Sequence, residues 1–102
     1  MVKLILISWR DIPSQVIVQR GRRREKAMLS QRFQEAIDRA AMRAGKGGSD
    51  AYIAEWRRAR TALETDDDLG AIARGEINKL ESEYSDERLQ RMIRNHGSNE
   101  PQ

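Results

Sequence analysis

No cysteine occurs anywhere in the 102 residues, which removes disulfides, iron–sulfur clusters and thiol nucleophiles and suits a reducing compartment. Histidine occurs once, at His96 beside Gly97, so a Ser/His/Asp constellation would hang its base on the part of the chain most prone to fraying. A metal site would then rest on carboxylates alone. The only cluster, Asp66-Asp67-Asp68, reads instead as the acidic start of a helix, because three consecutive side chains diverge from one another. No cofactor is therefore expected. No apolar run approaches the roughly 20 residues of a membrane span. "MVKLILISW" runs into Arg-Asp without a small-residue cleavage site, so the chain reads as cytoplasmic, with no membrane partner. "GKGGS" at 45–49 lacks the phosphate-loop pattern and follows a helix rather than opening one, which makes it a linker.

What is present is charge. The net charge of +3 conceals a division: residues 1–60 carry 14 Lys/Arg against 6 Asp/Glu, whereas residues 61–102 carry 5 against 10. Such asymmetry marks an anionic partner for the basic half, or else two halves that attract one another within a single fold. The length suits one domain, expected over 1–95 with 96–102 as a flexible tail, and a chain of this size buries about 65 % of its unfolded surface.

The elements follow from periodicity. "VKLILISW" is apolar at both alternating sets of positions, as in a strand covered on both faces, and "SQVIVQR" is a second β-branched run beyond the Pro13 break. A hairpin results. Phe33, Ile37, Ala40, Ala41 and Ala44 then form one stripe of an amphipathic helix opened by Ser30 and closed at Gly45. "DAYIAEWRRAR" is ambiguous: as a helix it aligns Tyr52 with Trp56, and as a strand it puts Tyr52, Ala54 and Trp56 on one face. The strand reading is adopted, since a hairpin alone is marginal and a third strand completes a sheet. Leu69, Ile72, Ala73, Ile77, Leu80 and Tyr84 line a second helix with Thr65 as N-cap. Ser85 caps a last one carrying Leu89, Met92 and Ile93. The expected fold is α+β, a small antiparallel-type sheet in the order β-β-α-β-α-α with helices packed on one face.

The binding candidates are arginines. Arg20, Arg22, Arg23 and Arg24, with Lys26, end a strand and begin a loop, and Arg57 and Arg58, with Arg60, extend from another strand, so the two sets are expected to meet at one sheet edge. Solvated arginines also blunt strand edges, and with five aromatics, of which Trp9, Phe33, Tyr52 and Trp56 suit a core, few remain for base stacking. Arg10 and Asp11, between a buried strand and the Pro13 bend, read either as a structural ion pair or, for Arg10, as part of the anion-binding set.

The blocks "ISWRDIPSQVIVQRGRR", "LSQRFQEAIDRAAMRAG", "SDAYIAEWRR" and "LESEYSDERL", across roughly residues 3–93, resemble the small bacterial, mainly alphaproteobacterial, proteins of the virulence factor domain family. "SWRDIP" to "GRR" is the most distinctive part. The resemblance supplies no catalytic residues; it implies an accessory role beside enzymes of folate and corrinoid one-carbon metabolism. The resulting expectation is a non-catalytic accessory or small-subunit protein that binds a larger enzyme through Arg10, Arg20, Arg22, Arg23, Arg24, Arg57 and Arg58 and could form homo-oligomers. A nucleic-acid-binding module using the same basic edge is the alternative.

Overall fold

A computed structural model describes residues 1–99. Four strands and four helices alternate in blocks: β1 Val2–Trp9, β2 Ile12–Arg20, β3 Arg23–Met28, α1 Gln31–Arg43, α2 Ser49–Ala54, β4 Trp56–Leu63, α3 Leu69–Glu83 and α4 Asp86–Arg94. The strands make one antiparallel sheet in the order β3-β2-β1-β4. The α+β class with helices on one face stands, but the order of elements is β-β-β-α-α-β-α-α, so β3 and α2 are additions to the order expected from sequence.

β3 escapes periodicity because "RREKAM" has no β-branched residue and lies exposed along almost its whole length. It forms because Gly21, at φ +60°, opens a two-residue turn that folds the chain straight back along β2. The arginine run is therefore a hairpin, not the start of a loop.

Residues 51–60, taken above as extended, divide into two elements. Ser49–Ala54 winds into a short helix whose Tyr52 N–H bonds to the Gly48 carbonyl at 2.9 Å, and the strand begins only at Trp56. Tertiary contacts decide the split. Trp9 Nε1 donates to the Tyr52 carbonyl at 2.8 Å, and the Tyr52 ring stacks on Trp9 at 5.9 Å and meets Trp56 edge-on at 5.8 Å.

The helices cover one face of the sheet. α3 packs on β2 and β3, α1 on β2, and α4 on α1. Val2, Val16 and Val18 from the sheet meet Phe33, Ile37, Ala40 and Ala41 of α1, Leu69, Ala73 and Leu80 of α3, and Leu89, Met92 and Ile93 of α4. A fully buried Ile, Leu or Phe in such a core contributes roughly 2 kcal/mol relative to exposure. The caps differ in part from expectation. Thr65 Oγ1 accepts the Asp67 N–H within the preceding turn, so α3 starts later and Asp68 caps it, Oδ2 accepting from the Ala71 N–H at 3.2 Å. Ser85 caps α4 as its position predicts, accepting from the Arg88 N–H at 3.1 Å.

The β1–β2 turn is held by the far end of the chain. Arg10 adopts φ +51°, a left-handed conformation that costs a non-glycine residue about 1 kcal/mol. Its guanidinium binds Glu55 Oε1 at 3.0 and 3.1 Å and the His96 carbonyl at 2.9 Å. Asp11 gives its N–H to the Gly97 carbonyl at 2.9 Å and accepts from the Asn99 N–H at 2.9 Å. Gly97, at φ +92°, lies so close to Trp9 that a Cβ would sit 2.9 Å from the ring, which only glycine avoids. Of the segment 96–102 read as a tail, His96–Asn99 thus bind the turn, and 100–102 lie outside the described residues.

Candidate functional site on the open sheet face

Strand alternation places one side chain in two on the face that the helices do not cover. The register aligns Arg24, Gln19, Lys3 and Ala62 in one row, Lys26, Ile17, Ile5 and Arg60 in the next, and Met28, Gln15, Ile7 and Arg58 in a third. Three isoleucines thus form a central stripe on β1 and β2, with cations on both outer strands.

Ile5, Ile7 and Ile17 form their own apolar cluster, joined by Trp56, and are only 5 %, 9 % and 6 % exposed although no helix lies over them. Long cationic side chains beside them account for the cover: Arg24, Lys26 and Arg58 border, with Ile7, Gln15 and Ile17, a depression of about 500 Å³. No carboxylate stands in the three rows. Among the described residues Lys3, Arg24, Lys26, Arg58 and Arg60 form no ion pair and no side-chain hydrogen bond. Gln15 Oε1 is buried in the same region without a hydrogen-bond partner. The surface offers an apolar centre, five free cations and one unsatisfied acceptor.

The expected arginine edge takes a different form. β3 and β4 are the opposite margins of the sheet, separated by two strands, so the strands that carry Arg24 and Arg58 lie about 14 Å apart by strand spacing. They flank a face, from opposite margins and different rows, instead of meeting at an edge. Arg20 turns to the other side, donating to the carbonyls of Thr65 at 3.1 Å and Asp67 at 2.8 Å, and so anchors the segment that leads into α3. Arg57 pairs with Asp11 at 3.3 Å, and Arg10 with Glu55, so Arg10 and Asp11 do not pair with each other. Arg22 occupies the exposed β2–β3 turn, and Arg23 pairs across to Arg20, which sets it on the helix side. Of the seven arginines singled out from sequence, Arg24 and Arg58 stand on the open face. Lys3, Lys26, Arg60 and Gln15 join them there; their alternation with Ile5, Ile7 and Ile17 was the available signal, legible once β3 is known to be a strand.

Another depression, about 550 Å³ beside Arg88, Arg91 and Arg94, lies at the C-terminal end of α4, where cations complement the helix dipole. Among the described residues no group of three or more His, Cys, Asp or Glu side chains is placed to hold a metal ion, and no helix is long and apolar enough to cross a membrane.

A family model described as "Virulence factor" matches residues 7–93. The chain belongs to that family. The stretch shared with the Virulence factor family includes Ile7, Gln15, Ile17, Arg24, Lys26, Arg58 and Arg60 and begins after Lys3 and Ile5. Comparisons with curated proteins and with solved structures give no match for this family member.

Proposed function

We propose that this protein is a non-catalytic accessory protein that docks an acidic surface of a larger protein on the open face of its sheet. One observation supports the reading above others: an isoleucine stripe bordered by five unpaired cations, with no carboxylate in the same rows. A protein interface has this composition, an apolar centre that excludes water and a charged rim that sets orientation and association rate. Single-stranded nucleic acid draws much of its affinity from aromatic stacking, and here isoleucines fill the centre of the face, with Trp56 at its margin. An enzyme of folate or corrinoid one-carbon metabolism is the partner the family resemblance suggests; the open face itself selects for acidity and shape.

The test is capture from a cell extract, with and without nuclease and at low and high salt, comparing the native chain with Arg24→Glu/Arg58→Glu. A stoichiometric protein that survives nuclease and is retained at least about tenfold less by the variant supports the reading. Nuclease-sensitive, salt-labile material assigns the face to nucleic acid instead. Equal retention by both forms overturns the open face as the contact.

A further inference from the structure

The outer margin of β4 adds a second feature to the same surface. The Arg10 N–H bonds to the Glu55 carbonyl at 3.0 Å, and β1 and β4 then run without a register shift from Trp9↔Trp56 to Val2↔Leu63. In an antiparallel ladder this fixes the alternation: Arg57, Ala59, Thr61 and Leu63 direct their backbone groups at β1, whereas Arg58, Arg60 and Ala62 direct theirs away from it. The three residues with outward backbone groups are the same three whose side chains stand on the open face. The Leu29 N–H to Ser14 carbonyl bond fixes the complementary alternation in β2, which is consistent with this assignment.

β4 is also the more accessible margin. It is eight residues long, exposed from Arg57 to Ala62, free of proline and bulges, and no helix packs along it, whereas α3 packs on the shorter β3 at the other margin. On the helix side β4 presents Ala59 and Thr61 beside the half-buried Leu6 and Leu4, a shallow shelf of small and apolar groups.

We propose that β4 accepts an extended acidic segment of the partner as a fifth strand; this rests on the docking function proposed above and specifies how the partner is held. A strand paired to β4 lies about 4.8 Å away, so alternate side chains stand beside Arg58 and Arg60 on the open face, and the intervening ones rest on the Ala59/Thr61 shelf. Backbone bonds supply affinity, and the recognised pattern is acidic at alternate positions with small apolar residues between. A second copy of this chain is a poor occupant. Two β4 margins pairing antiparallel would set arginines beside arginines, the repulsion by which basic edges prevent self-association.

The probe is a synthetic eight-residue peptide alternating Glu and Val with blocked ends, compared with the same residues in block order, Glu4Val4. Binding to the full chain is followed by amide hydrogen exchange resolved by residue. The alternating peptide is expected to bind about tenfold more tightly than the block peptide, to slow exchange at Arg58, Arg60 and Ala62, and to leave Ala59 and Thr61, already bonded to β1, unchanged. Ala62→Pro removes one outward N–H without touching a charge and is expected to weaken that binding several-fold, the worth of one hydrogen bond. Equal binding of both peptides, or binding without the alternate protection, overturns strand addition and leaves face docking intact. No binding by either peptide likewise overturns strand addition, whereas face docking falls only with equal capture by the native chain and Arg24→Glu/Arg58→Glu.

Discussion

Glu81 shows what a single side chain does in this fold. Burial is the strongest influence on its carboxyl and acts to raise the pKa, but the Ser30 N–H at 2.7 Å, the Ser30 hydroxyl at 3.0 Å and the Arg32 guanidinium at 3.0 Å together outweigh it and hold the value below 4.5. These contacts join the start of α1 to the end of α3. They also explain why Ser30 makes no side-chain cap for α1: its hydroxyl is given to Glu81. Because the folded state binds this proton less readily than the unfolded state, the stability it confers is complete above 4.5 and is lost as pH falls through the lowered folded value. Glu81→Gln is expected to destabilise the protein by roughly 1 kcal/mol at neutral pH, and by less at about pH 3.5. Urea unfolding at the two pH values measures both.

At the scale of elements, caps and turns account for boundaries that apolar periodicity leaves open. α3 carries its stripe as expected, yet its start depends on which acidic or hydroxyl residue captures a free N–H, and Thr65 is occupied by Asp67. Asp68→Ala is accordingly expected to cost about 1 kcal/mol and Thr65→Ala less than half of that, compared by thermal unfolding. Equal costs would restore Thr65 as the cap. The same local competition divides residues 49–63. Ser49–Ala54 has alanines and a short helical turn, and "WRRARTAL" has no apolar alternation at all, so neither reading of the sequence alone finds the break at Glu55. The ladder to β1 makes the second part a strand, since the N–H and C=O groups on that side of β1 would otherwise lack partners.

At the scale of the whole molecule, His96–Asn99 meet the β1–β2 turn and the two charge classes find each other. Arg32 binds Glu81 at 3.0 Å and Asp86 at 3.2 Å, so part of the basic half is neutralised by the acidic half within the fold, while the cations of the open face are left over. His96–Asn99 close over the Trp9 end of the sheet through bonds to Arg10 and Asp11. Removing residues 96–102 takes away the three hydrogen bonds to Arg10 and Asp11, among others, and uncovers Trp9, and is expected to lower stability by roughly 3 kcal/mol, read as a fall in the denaturant midpoint. An unchanged midpoint would show that the closure contributes nothing.

The sequence by itself determined the α+β class, the β1–β2 hairpin, the buried stripes of α1, α3 and α4 and the Ser85 cap, because each is written in the periodicity or chemistry of a few neighbouring residues. Only the tertiary structure decided that β3 and β4 are the outer strands, that Arg10, Arg20 and Arg57 are used inside the fold, and that Arg24 and Arg58 face the same side from opposite margins. The reason is physical. Edge strands need no apolar pattern of their own, since their partner strand holds them, and an arginine in a sequence carries no record of which carbonyl or carboxylate will reach it first once distant segments meet.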